Sequence, residues 1–372
     1  MSGLEWMIGG LLLAGIAAGA WWWRQRRPAA AAPSRRRSGG DERVAATVGG
    51  DAGAAGTDPA ALLQAGLHAL ALVPRSGNAA TLAALHVGEL RDTVTATLLA
   101  RDWSARHLPR RPQLLPQLIQ TVNDSDASAR AMAAIIGQDA VLTGNLLRIA
   151  NSPVYRLQAR PVETLQRAVT LVGTDGIRQI ISAVLVQPVM HLHCEAFPQF
   201  GAVIWEHALL ASRAAADHAR SVTHEDGFAA QWLGLTQGLG AALVMRHLLD
   251  ASAAQGKASP PRELAAELLD TWTLPVASRI AAAWELPPAV HEALIRQSAG
   301  GLAASLRFAR AAAAASLLCR HGQIGQAHAV ALLEQMESTP PHALQWIWRR
   351  VHGRAVEPLD GDELEIVPAA AG

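Results

Sequence analysis

The chain has 372 residues and a formal net charge of +1; half of its residues are hydrophobic and only 4% are aromatic. That length holds one large domain or two modest ones with apolar residues to spare for a core, and the near-neutral balance argues against a nucleic-acid binder or an enzyme built for acidic substrates. Alanine and leucine dominate while β-branched residues are sparse, so the composition predicts an all-α fold, and the two cysteines, Cys194 and Cys319, are spaced like neither a disulfide framework nor a zinc site and fit a reducing compartment.

The first element is apolar. From Leu4 to Trp23 the sequence reads LEWMIGGLLLAGIAAGAWWW, with Glu5 its only charge. About twenty residues at about 1.5 Å each span the roughly 30 Å hydrocarbon layer. Trp6 and the run Trp21, Trp22 and Trp23 stand where interfacial aromatic belts belong, and the arginines that follow put the rest of the chain in the cytoplasm. A cleaved signal peptide is the rival, but it wants its basic residues before the apolar run, whereas here they follow it. Residues 1–23 are therefore expected to be a single-pass anchor in the inner membrane.

Residues 24–57, rich in Ala, Gly, Pro, Ser and Arg, read as a flexible basic linker whose arginines can also lie against anionic headgroups. Residues 58–104 form an Ala-rich helical region with Leu62, Leu63, Leu67 and Leu70 in helical spacing. Beyond it, LPRRPQLLPQLIQTV is framed by proline and then periodic. Asp126 or Ser128 and then Asp139 stand as N-caps, Gly173 ends a helix at a C′ position, and Thr174 or Asp175 opens the next. Further helices are predicted at about 198–220, 225–250, 261–272, 274–284, 288–297, 302–320, 324–337 and 341–351. No run alternates like a strand. The acidic end, 355–372, reads as a loose tail.

The block IIGQDAVLTGNLLRIANSPVY, preceded by Leu108–Pro109 and followed by the helix ending at Gly173 and by GIRQIISAVL, resembles the HDOD family, the HD-related output domain of bacterial signalling proteins. Asn151, Ser152, Pro153 and Tyr155 carry the likeness most directly, and it continues more loosely through WEHALLAS, GLTQGLG and WELPPAVHEAL to about residue 320. The resemblance implies an HDOD domain over 105–320, C-terminal helices over 321–354, and a regulatory output acting through protein contacts. Read from the residues alone, ANSPVY is a helix terminator in which Pro153 stops the helix; a ligand- or partner-contacting role for Asn151, Ser152 and Tyr155 stays open beside that.

HD-type phosphohydrolases, to which the family is related, hold a divalent metal with a histidine on one helix, a His-Asp pair on another and a distant aspartate. His207 matches the first histidine. Thr236 and Gln237 stand where the pair belongs, Thr273 or its neighbours stand at a later histidine position, and Gln297 and Ser298 at another. Arg310 and alanines stand where the last aspartate is expected. A hydroxyl and an amide are weak oxygen ligands without charge. No catalytic residue, metal or cofactor is therefore expected. His207, Thr236 and Gln237 become candidates for a ligand-sensing or partner-binding groove that would admit a small nucleotide. The bland reading makes all three hydrogen-bonded residues of a partly buried groove. The alternative function is a metal-dependent phosphohydrolase or phosphodiesterase with a rearranged site. Of the other candidates, His191, His193 and Cys194 would bind metal only from a loop, His218 and His224 read as surface residues near a helix end, and Trp346 and Trp348 read as docking a terminal helix.

Overall fold

The computed structural model describes residues 58–75, 84–100, 194–256, 259–296, 300–336 and 339–353, with shorter pieces between 101 and 193. The expected anchor, the linker and the acidic tail lie outside the described residues, as do Ser152, Tyr155, His191, His193, Gln297, Ser298 and the caps expected at Asp126, Ser128, Asp139, Thr174 and Asp175.

Among the described residues the secondary structure is helical throughout and no strand occurs. The longer helices are α1 (Pro59–Ala71), α2 (Ala84–Leu99), α3 (Ala129–Ile136), α4 (Phe200–His218), α5 (Gly227–Ala254), α6 (Arg262–Ala283), α7 (Pro288–Ile295), α8 (Leu302–Arg320), α9 (Gln326–Glu334) and α10 (Pro341–His352). Local chemistry sets several starts. Asp58 accepts a hydrogen bond from Ala60 N at 3.0 Å with Pro59 in the first turn, and Asp226 accepts from Phe228 N at 2.8 Å. A widened π turn, Ala219–Thr223, ends α4 and delivers the chain to His224 in the left-handed region. Gly173 adopts a φ of +74°, the backbone that a C′ glycine supplies.

The centre is α5. Nearly every residue from Gly227 to Met245 is buried, as expected of a helix apolar all round. It lies between α4 and α6, with α2, α7 and α8 also against it, while α8 packs on α4 and α1. Two glycines make these crossings close. A Cβ on Gly234 would run into the backbone of Ser212 and stand 2.7 Å from the carbonyl carbon of Ala211, both in α4. A Cβ on Gly240 would run into the Thr273 carbonyl and stand 3.0 Å from Ala277 N, both in α6. Six residues apart, these glycines face directions about 120° apart round the helix. The GLTQGLG stretch therefore clamps α5 between two neighbours.

One predicted helix boundary is corrected. The segments 261–272 and 274–284 form one helix, α6, with Pro275 inside it. Proline removes the bond to the Thr271 carbonyl, but Leu268, Leu269, Val276, Ala277 and Ile280 are all buried, so both halves stay seated. The Ala-rich region is also part of the core: Leu63, Leu67, Leu90, Val94 and Leu98 join the same buried cluster as α4 to α8. Polar contacts fasten it there. Arg279 donates from Nη1 to the Leu98 carbonyl at 2.7 Å, satisfying a carbonyl at the end of α2, and lies 4.0 Å over the Trp103 ring. Arg262 reaches the Ala69 carbonyl of α1 at 3.3 Å. At the other end Trp348 is buried, as a docking residue should be, whereas Trp346 is 42% exposed with the Arg350 guanidinium 4.9 Å from its ring. Arg350 Nε also donates to the buried Asp217 of α4 at 2.8 Å.

By length and composition α8 could cross a membrane, but most of it is buried against α1, α4, α7 and α9, as a core helix is.

The crossings give a direct test. Gly234→Ala forces two helix backbones apart and should lower stability by about 2–3 kcal/mol. Gly88→Ala in α2, where a Cβ meets nothing within 4 Å, should raise it by about 0.5–1 kcal/mol. Urea unfolding of the two variants beside the wild type checks both signs.

Candidate functional site

His207 sits in the middle of α4 and is 3% exposed. The close approach at Gly234 brings it level with Gln237 of α5, the two helices running antiparallel, since Gly234 faces Ser212 while Gln237 faces His207. Gln237 Nε2 lies 3.2 Å from His207 Nδ1, and His207 Nε2 lies 3.1 Å from the Arg310 carbonyl of α8. A carbonyl can only accept, so Nε2 carries the proton and Nδ1 receives the amide N–H. Both ring nitrogens are committed. Burial pushes the His207 pKa down to about 3, the Arg310 carbonyl being the weaker, opposing influence, so the ring is neutral.

Thr236 is fully buried. Its hydroxyl donates to the Trp232 carbonyl of its own helix at 2.7 Å and lies 3.3 Å from the Leu233 carbonyl. The expected groove residues are thus brought together, but inside the core: Gln237 is 3% exposed and Thr236 not at all. Thr273 is buried too.

These residues do not fit a divalent metal. The one imidazole already uses both nitrogens, Gln237 presents an N–H to it, and the Thr236 hydroxyl bonds its own helix. Helix α8 supplies the cation Arg310 and no carboxylate. Among the described residues no three His, Cys, Asp or Glu side chains converge elsewhere.

Asn151 is a structural clip. Its Nδ2 donates to the Leu147 and Val162 carbonyls, each at 2.9 Å, and its Oδ1 accepts from Val162 N at 2.7 Å. The amide thereby satisfies a helix-end carbonyl and pins residue 162 to it, which is the terminator reading of ANSPVY. Two motifs of the resemblance also meet: Trp284 of WELPP donates from Nε1 to the Pro109 carbonyl at 2.9 Å.

His218 corrects an expectation. It is fully buried, with Nδ1 3.0 Å from Ser305 Oγ, Nε2 3.0 Å from Thr339 Oγ1 and its ring stacked on Phe308 at 4.7 Å. The π turn carries the chain on for another turn before it leaves the core, so what the sequence shows as a helix end is interior; His224, beyond it, is exposed. Burial pushes the His218 pKa down to about 4.

Residues that sequence reasoning missed stand beside His207. His68 of α1, 5% exposed, places Nδ1 3.4 Å from Asp270 Oδ1 of α6 and Nε2 3.0 Å from Gln64 Nε2. The only signal was a histidine and a glutamine four residues apart on an otherwise apolar helix. Gly66 lets α1 approach this closely: a Cβ there would stand 2.8 Å from Leu318 Cδ1 of α8.

Two buried neutral histidines set a pH dependence. Their folded-state pKa values lie below the unfolded value, so the unfolded chain takes up protons that the fold refuses. Stability is complete above about pH 6.5 and is lost as the pH falls towards 4 and 3. Between pH 7 and pH 5 the two together should remove about 4 kcal/mol. Urea unfolding at the two pH values measures it, and His218→Gln should roughly halve the slope; a flat profile would refute the neutral pair.

The sequence of residues 108–299 matches the HDOD domain. No curated protein matches the chain. Among solved structures the chain is similar to a candidate metal-dependent phosphohydrolase from Shewanella amazonensis at 18% identity, covering 72% of this chain and 97% of that one, with a TM-score of 0.48. It is similar to an HDOD domain protein of unknown function from Geobacter sulfurreducens at 19% identity, covering 72% and 90%, with a TM-score of 0.47. It is also similar to a candidate signal transduction protein from Marinobacter aquaeolei at 17% identity, covering 72% of this chain and 63% of that one, with a TM-score of 0.49. With the domain matched over more than half of its length, the chain belongs to the HDOD family.

Proposed function

We propose that the chain is a non-catalytic HDOD signalling protein, held at the inner membrane by residues 1–23 and acting in the cytoplasm through contacts with protein partners of a bacterial signalling pathway. The observation that carries the non-catalytic part is the hydrogen bonding of His207. Its Nδ1 takes the Gln237 amide and its Nε2 gives to the Arg310 carbonyl, while Thr236 bonds its own helix. A metal-activated water needs about three protein ligands with free lone pairs and an open coordination position, and this cluster, with both His207 nitrogens and the Thr236 hydroxyl committed, offers neither. The anchor rests on the apolar run from Leu4 to Trp23 and the arginines after it.

Without an open metal site, what such a domain can pass on is surface and conformation. α1 follows directly on the proposed linker and packs on α4, α8 and α9, so a pull or a partner at the linker would act on the helix that covers His207. This is the route by which membrane position would reach the domain.

Two experiments test the reading. The purified full chain should carry no stoichiometric divalent metal and show no metal-stimulated hydrolysis of bis(p-nitrophenyl) phosphate. Bound metal with turnover that disappears in His207→Ala would establish the phosphohydrolase instead. After cell fractionation the full chain should sediment with membranes and resist salt extraction, and deletion of residues 4–23 should move it to the soluble fraction. Soluble full-length protein would remove the anchor from the proposal.

A further inference from the structure

The charge beside His207 has the wrong sign for a metal site. Arg310 leaves α8 midway along the helix, its carbonyl taken by His207 and its Nε buried with no hydrogen-bond partner. Among the described residues no carboxylate lies within 4.0 Å of its guanidinium. One helical turn to either side stand Leu306, Arg307, Ala313 and Ala314, so its own helix offers no counter-charge. The carboxylate that acts on it electrostatically is Asp270 of α6. Asp270 is 57% exposed and is placed against His68 Nδ1 at 3.4 Å.

A guanidinium desolvated without a partner is strongly unfavourable, and proteins ordinarily pair it or let it meet a ligand. Its planar fork of N–H donors matches the oxygens of a phosphoryl group two at a time. Arg310 is only partly buried as a residue although its Nε is enclosed, and the nearby Asp270 side chain reaches solvent. Of its three side-chain nitrogens only Nε is enclosed without a partner, so the end of the fork is less enclosed than its stem. His68, on α1, has its Nδ1 towards Asp270.

We propose that Arg310 anchors a binding site for a phosphate-class oxyanion, entered between α1 and α6 past Asp270. Where a metal site gathers carboxylates round a cation, this cluster gathers neutral groups round a fixed cation, and the species it attracts is an anion. The inference deepens the non-catalytic reading by naming the chemistry of a ligand for the same cluster. Asp270 is the gatekeeper: it offsets the Arg310 charge when the site is empty and competes with an arriving anion.

Thermal unfolding of the full chain, with inorganic phosphate, GMP and acetate titrated at constant ionic strength, tests this. Phosphate or GMP should raise the melting temperature in a saturable way that acetate does not reproduce. The rise should be absent in Arg310→Gln and should set in at an at least threefold lower ligand concentration in Asp270→Asn. A larger effect of GMP than of phosphate would identify a nucleotide as the source of the phosphoryl group; equal effects would identify the free anion. No rise in the wild type, an equal rise with acetate, or a rise that survives Arg310→Gln overturns the proposal. If Arg310→Gln does not fold, Asp270→Asn decides, and an unchanged concentration dependence there overturns it. Failure of this proposal would leave the non-catalytic reading standing, because that reading falls on metal-dependent turnover and not on anion binding.

Discussion

The arrangement depends on how closely α4 and α5 can approach. With a side chain at Gly234 the two backbones would have to separate, and the 3.2 Å bond between Gln237 and His207 would lengthen with them. With glycine there, His207 meets an amide instead of water. Burying an imidazole without partners costs about 1–3 kcal/mol, and this fold avoids that by giving each nitrogen one partner from a different helix. One backbone contact thus sets how closely the polar groups at the centre of the domain can pair.

The surrounding polar groups follow the same logic. His218 is sandwiched between Ser305 and Thr339, and His291 Nδ1 lies 2.9 Å from Ser278 Oγ. Each histidine is paired across helices by a neutral hydroxyl or amide. Such pairs are satisfied only when the helices hold their register, so they fix the packing of an alanine-rich core whose small side chains would otherwise slide. The structure then has a rigid centre, while charged contacts such as Arg91 with Glu267 at 2.7 Å and Arg320 with Glu206 at 2.8 Å lie at the surface, where they add little.

How much of this the sequence disclosed varies with the range of the interaction. Helices announced by caps and periodicity, such as α8 over 302–320, were legible because the signal lies within one element. That Thr236 and Gln237 lie beside His207 was legible from the order of the motifs. Three things were not. Pro275 breaks a helix by local rules, and only burial on both sides of it keeps α6 continuous. His218 stands near an apparent helix end, and only the following π turn and Thr339, far along the chain, make it interior. Arg310 read as a missing aspartate; that its Nε is enclosed without a hydrogen-bond partner, while Asp270 is placed against His68, emerges once α6, α8 and α1 are in place. In each case the deciding partner is remote in sequence, and periodicity does not say which faces will meet.

The cluster is also consistent as a set. A carboxylate at Gln237, buried beside a neutral imidazole and with no metal, would be an unpaired charge in the core, among the most expensive groups a fold can bury. Glutamine is neutral, and it brings an N–H donor that a carboxylate lacks. Its N–H then needs an acceptor, which His207 Nδ1 supplies, and His207 in turn needs an acceptor for Nε2–H, which the Arg310 carbonyl supplies. A neutral amide at 237 and a neutral histidine at 207 are two sides of one hydrogen-bond requirement. An Asp at 237 alone would therefore not make a metal site: the proton on Nε2 would still be held by the α8 backbone, and one imidazole nitrogen with one carboxylate is too few ligands.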